Sequence, residues 1–256
     1  MLFRSLLSGT MGYTAAASAV QDNSAVVLSA GYDVANGVVA SDPNATAGQT
    51  ADISISRAYF PSTVTSHATG NLSLSGTGGT LFDKQASFQA DKTINMSAGL
   101  GSSITSLSDL TLKAGRDEQG GAINVSVFGA GPLAVAAPGF INIAGTLMLD
   151  ASATGDPASS AGLGAIGLDA AAGTINVLAA GGGLSANRLQ IRAYAEGGSG
   201  TDRSGNATGG TVNLSAGSGG MGFAITDIDV SAYVSTDFGL PTNGGNATAE
   251  IGRAHV

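Results

Sequence analysis

Asp227 and Asp229 stand two residues apart in the run ITDIDVSAYVST. On an extended strand that spacing puts both carboxylates on one face. Paired carboxylates there can hold a cation or share acid–base work on a glycosidic bond. Arg188 and Arg192 are the clustered cations available to complete such a site. A second candidate is GGSGTDRSG, Gly197–Gly205, which follows the calcium-binding G-G-x-G-x-D-x-U-x pattern through Asp202. Its apolar position is Ser204 and no tandem copy follows, whereas such sites share ligands between successive turns. The stretch AAGGGL, Ala179–Leu184, lacks the Lys-Ser/Thr and the helix that a phosphate loop needs, so it reads as a turn. His67 is the single histidine apart from His255, too little for a triad or an imidazole metal site.

Asparagine offers another chemistry. Seven N-x-S/T sequons occur, at Asn44, Asn71, Asn95, Asn124, Asn206, Asn213 and Asn246. Three of them belong to a recurring apolar–Asn–apolar triplet and three to a repeated Asn-Ala-Thr loop, so repetition explains most of their number. Each is a glycosylation acceptor in an exported chain and a plain solvent-facing amide otherwise.

Composition limits the elements that position these residues. The 256 residues include 40 Gly, 43 Ala and 51 Ser plus Thr, with no Cys or Trp and 11% charged. Asp outnumbers Glu 15 to 3 and Lys occurs three times, which argues against extensive helix. With 43% hydrophobic residues the chain is not of the disordered class. The net charge of −8 disfavours electrostatic capture of nucleic acid. No apolar run approaches the ~18 residues of a membrane span.

Three motifs repeat. Apolar–Asn–apolar triplets occur at Ile94–Met96, Ile123–Val125, Ile141–Ile143, Ile175–Val177 and Val212–Leu214. An apolar-x-apolar-x-Ala-Gly run ends at Gly31, Gly99, Gly115 and Gly217. Alternating strands start at Leu147, Leu189 and Ile228, which lie 42 and 39 residues apart. Period-two alternation broken by Gly-Gly, Asp-Pro and Gly-Asn predicts half-buried strands, and self-similarity at a fixed period favours a solenoid over a sandwich. The expected fold is all-β, a right-handed parallel β-helix of roughly 20-residue coils, about 50 Å long at one strand spacing per coil.

Aligning the three long repeats makes a register prediction. Leu149, Ile191 and Val230 stack inward, followed by Ala151, Ala193 and Ala232. Outside, Asp150 falls beside Arg192, and Arg188 beside Asp227. The triplet asparagines lie between inward residues and are expected to hydrogen-bond up and down a ladder. With the carboxylates so paired, Asp227 and Asp229 read as solvated surface charges, and no catalytic, cofactor-binding or metal-ligating residue is assigned.

The runs DLTLKAGRDEQGGAINV, VVLSAGYDV and GGTVNLSAGSGG resemble the repeats of filamentous haemagglutinin-like adhesins, exported by two-partner secretion or as autotransporter passengers. The resemblance implies a non-enzymatic stalk, secreted or on the outer cell surface, that meets a host or neighbouring-cell surface, glycans included. It also implies an outer-membrane secretion partner for the parent protein. The competing expectations are a β-helix polysaccharide lyase or hydrolase and a calcium-stabilised repeat protein.

The two ends read differently from the rest. IGRAHV can be encoded ATC GGA AGA GCA CAC GTC, and LFRS by codons whose reverse complement is AGATCGGAAGAG. Both resemble one sequencing adapter read on opposite strands. Residues 1–5 and 251–256 are therefore expected to be non-native, with 6–250 a single β-helix segment of a longer protein. Met1–Asp22 also imitates a signal peptide, but Gly9, Thr10 and Gly12 make a poor apolar region.

Overall fold

The computed structural model describes residues 2–5, 26–35, 38–41, 51–129, 137–157, 165–217, 222–231, 234–236, 247–248 and 254–255. Among them there is no helix, and so none long and apolar enough to cross a membrane. Nearly every strand pairs in parallel with the equivalent strand one coil away, and the sheets curl round one core.

Each coil passes through three walls. The first wall is a seven-stranded sheet of Ile53–Ser56, Leu72–Ser75, Thr93–Ala98, Ala122–Phe128, Thr174–Ala180, Thr211–Ala216 and Ala254–His255. The second wall holds Tyr59–Phe60, Thr80–Phe82, Ser103–Ser106 and the leading halves of three long strands, Phe140–Asp150, Gly183–Arg192 and Gly222–Ser231. The third wall holds Leu2–Ser5, Val26–Ala30, Val64–Ala68, Ala86–Ala90, Leu110–Arg116 and the trailing halves of the same long strands. A register shift between Ile143 and Thr146 makes the corner within the first long strand, so the second and third walls merge into one sheet there.

Alternation explains the burial. In Thr93–Ala98, Ile94, Met96 and Ala98 are buried while Thr93, Asn95 and Ser97 face outward. Pairing in register then stacks like on like: Leu72, Ile94, Ile123, Ile175 and Val212 form one ladder, and Leu74, Met96, Val125, Val177 and Leu214 the next. Each fully buried Leu, Ile or Val contributes roughly 1.5–3 kcal/mol. Phe82 stacks on Phe60 at 5.3 Å between ring centroids and meets Phe88 edge-on at 5.4 Å.

Coil length differs from the sequence expectation. First-wall equivalents are 19 residues apart from Ile53 to Leu72 and 22 from Leu72 to Ile94. The next three steps, measured at the triplet asparagines, are 29, 52 and 37 residues. Roughly 20 residues thus describes only the coils around Ile53–Ile94, since the third-wall partners Val26 and Val64 are already 38 residues apart, and the period near 40 is itself one later coil. The surplus forms a side lobe between the third and first walls. In it Ala153–Thr154 pairs with Ala195–Glu196 and on to Val234–Ser235, while Ala170–Ala171 pairs with Ala207–Thr208 and on to Ala247–Thr248. Ala153, Ala170, Ala195 and Ala207 make a second small core there.

The lobe stands on an antiparallel hairpin that pairs Arg116 with Gln119. Its turn carries Asp117 in the left-handed region at φ 44°, and the carbonyls of Asp117 and Glu118 accept the N–H groups of Thr154 and Ala171 at 3.0 and 2.8 Å. Fewer, longer coils shorten the rod. Among the described residues eight third-wall strands span seven spacings of about 4.8 Å, on the order of 35 Å against the expected 50 Å. At the two ends of the stack, Leu2–Ser5 pairs in parallel with Val27–Ala30, and Ala254–His255 with Leu214–Ser215.

Candidate functional site

The three long repeats lie in the predicted register as direct ladder neighbours. Leu147, Leu189 and Ile228 are partners, as are Leu149, Ile191 and Val230. Leu149 and Ile191 are fully buried. Val230, on the last long strand, stays 39% exposed because no described strand covers it. Ala151 and Ala193 are buried, and Ala232 lies outside the described residues.

Arg188 sits opposite Asp227, as the alignment predicts. Its Nε is 3.3 Å from Asp227 Oδ2, and its Nη2 donates to Asp229 Oδ2 at 3.0 Å. Gln190 Nε2 also donates to Asp229, at 3.4 Å. Bridging of both carboxylates by one guanidinium was not legible in the alignment, because it needs a diagonal reach along the wall. Asp150 and Arg192 are register partners too. The Asp150 carboxylate, however, accepts the N–H of Ser152 at 3.0 Å, and the pair is not among the ion pairs of the described residues. With side chains 61% and 39% exposed, Asp227 and Asp229 lie on an open wall, where each ion pair is worth at most about 1 kcal/mol.

The Gly197–Gly205 segment packs backbone against backbone between lobe coils. Asp202 donates its N–H to Ala165 O at 2.9 Å, and the N–H of Gly205 reaches Gly198 O at 2.8 Å. A Cβ on Gly167 would stand 1.8 Å from Gly198 O. Among the described residues no three His, Asp or Glu side chains come together as a metal site. His67 Nε2 lies 3.0 Å from Asp91 Oδ1, both partly buried, where the third wall turns toward the first.

The asparagines form the most regular polar array. Asn124 Nδ2 donates to Asn95 Oδ1 at 3.0 Å, Asn176 to Asn124 at 2.9 Å and Asn213 to Asn176 at 2.8 Å. Four of the five triplets therefore build one amide ladder up the first wall. Asn142 does not join it. Its triplet lies on the second wall between Thr105 and Ser185.

Of the sequons outside the ladder, Asn71 and Asn206 share an arrangement that sequence reasoning missed. The backbone N–H of each donates to an aspartate of the preceding coil, Asp52 or Asp169, at 2.6 Å, and the side-chain amide donates to the same oxygen. Thr146 N–H does the same to Asp109 at 2.7 Å. The signal that could have found these is an aspartate just before a strand, repeated coil after coil. The Asn206 backbone bond, its amide and the nearby Arg203 charge hold the Asp169 carboxyl below its ordinary value. On the second wall, the Tyr59 hydroxyl donates to Asp83 at 2.5 Å, and that bond, with the carboxylate's charge, pushes the phenol up. Asn44 and Asn246 lie outside the described residues.

Charge is partitioned by wall. Lys113, Asp150, Arg192, Arg188, Asp227 and Asp229 all lie on the third wall, and the strands of the first wall from Ile53 to Ala216 carry no charged residue. Comparison with known protein families, with curated proteins and with solved structures finds no match to this chain.

Proposed function

We propose that the chain is a segment of the stalk of a large filamentous bacterial adhesin. In this reading the parent protein is secreted, or held on the outer cell surface, through an outer-membrane secretion partner, and the chain itself has no catalytic role. The observation that carries the proposal is the coil-on-coil parallel pairing of equivalent strands. Three walls continue coil on coil, each coil touching chiefly its neighbours, which is the construction of a rod rather than of a closed domain. The adhesin-like runs DLTLKAGRDEQGGAINV and GGTVNLSAG lie along that stack, with glycines where its strands begin or end. Tying Asp227 and Asp229 to Arg188 further supports a structural role for the paired carboxylates. The coil sense in this proposal is right-handed, the hand that twisted parallel strands prefer in crossover connections.

The work of such a segment is mechanical. It spaces a distal tip from the cell and offers weak contacts repeated along its length. Antibodies raised against the purified chain should label intact cells of the source organism, and sequencing outward from the parent gene should run into further repeats. Labelling that requires permeabilised cells would remove the surface role. A calcium-stabilised repeat would instead lose melting temperature in EDTA, which the stalk does not.

A further inference from the structure

We propose that the first wall is a docking face for an extended, neutral, β-linked polysaccharide, lying along the coil axis over the asparagine ladder. This rests on the extracellular reading above and deepens it by naming the surface and the ligand class.

The geometry begins with the amides. In the ladder Asn95–Asn124–Asn176–Asn213, the two middle residues each donate one Nδ2 hydrogen to the coil below and accept one bond at Oδ1. An amide has two hydrogens and two carbonyl lone pairs. Each middle asparagine therefore keeps one donor and one acceptor for an outside partner, and the end residues Asn95 and Asn213 keep one group more. The ladder holds those groups in a fixed orientation, once per coil at about 4.8 Å, so little side-chain freedom remains to be lost on binding. Alongside them run Ser97 and Ser126, paired across the strands.

The same outward face of Ala122–Phe128 ends in Phe128, 44% exposed. A large apolar ring left in solvent beside a polar row is a stacking platform for the C–H face of a sugar. The wall's lack of charge selects the ligand. A neutral polymer of hydroxyls exchanges hydrogen bonds with amides and serines at no cost in charge burial, whereas a net charge of −8 repels acidic or sulfated chains. The regular repeat selects the linkage. β-linked chains lie extended and present one ring after another, as the wall presents one amide after another.

Amorphous cellulose is the probe, with polygalacturonate as the acidic comparison, in a depletion assay on the purified chain at low and high salt. The expected result is retention on cellulose that persists in high salt, with none on polygalacturonate. The paired variant Ser97→Lys/Ser126→Lys, and separately Phe128→Ala, should weaken retention by about tenfold or more. Gln190→Lys on the third wall should leave it unchanged, with melting confirming that all variants fold. Absence of retention on cellulose overturns the proposal, as does equal loss from the third-wall variant or salt-sensitive binding to polygalacturonate. A chain that labels at the cell surface yet ignores cellulose removes this face and leaves the stalk standing.

Discussion

Asn176 sits in the middle of the amide ladder, donating to Asn124 and accepting from Asn213. Asn176→Ala removes both bonds and leaves one half-buried acceptor and one donor without their mates. A net loss of about 1–2 kcal/mol is expected in urea unfolding. Asn142, in an identical apolar–Asn–apolar setting, has Thr105 and Ser185 as register neighbours, and Asn142→Ala should change stability by less than about 0.5 kcal/mol. Equal losses from the two variants would mean that the ladder adds nothing beyond local strand propensity. Asp169 has the other residue-scale signature. Its carboxyl is held below the ordinary value by the Asn206 N–H and amide. The stability it adds is therefore fully present above the unfolded-state value and is lost as pH falls through the lowered folded value. Asp169→Asn should remove that contribution, lowering stability in the neutral range and flattening the acid limb, so that the two profiles converge below about pH 4. An acid limb superimposable on that of the parent chain would contradict this.

At the scale of elements, coil stacking depends on places where backbones approach too closely for any side chain. A Cβ on Gly173 would stand 1.7 Å from Gly121 O, directly where the lobe returns to the first wall. Backbone cannot move aside there without breaking the Thr174 N–H to Gly121 O bond of 3.2 Å. Gly173→Ala should cost more than about 2 kcal/mol. Gly99, which follows the strand Thr93–Ala98, has nothing within 4 Å of a built Cβ, and Gly99→Ala should be tolerated to within about 0.5 kcal/mol. Thermal melts of the two variants decide the point, and similar melting temperatures would show that the stack gives way freely at Gly173. The pair also shows why the Ala-Gly motif could not be ranked in advance. It follows first-wall strands at Gly99 and Gly217 and a third-wall strand at Gly31, and lies inside Leu110–Arg116 at Gly115, so it marks a change of direction without saying which coil lies against it.

For the whole molecule, a stack in which each coil touches its neighbours should lose stability locally. Phe82 joins Phe60 in the coil below to Phe88 within the early, lobe-free coils. Phe82→Ala should cost about 3–5 kcal/mol. Amide exchange should quicken first in strands Leu72–Ser75 and Ala86–Ala90, and last in Thr174–Ala180, several coils away. Uniform acceleration along the chain would instead indicate one cooperative unit.

What the sequence determined by itself was whatever repeats at short range. Period-two alternation set the strands and their buried faces, since an extended chain turns successive side chains to opposite sides. Similarity between LMLDASATG, LQIRAYAEGG and IDVSAYVST was enough to set their mutual register, including Arg188 beside Asp227. Tertiary structure alone decided coil length, the lobe and the membership of each wall. Those depend on how many residues the corners absorb before the chain returns to its ladder, and Gly- and Ala-rich connections carry no periodicity that counts them. Asn142 follows the same local pattern as Asn124, and its exclusion from the ladder is set by its corner, not by its triplet. Side-chain reach belongs to the same class. Register places Asp150 beside Arg192, but the nearer Ser152 N–H holds the carboxylate, because a short local bond outcompetes a screened pair on an exposed wall.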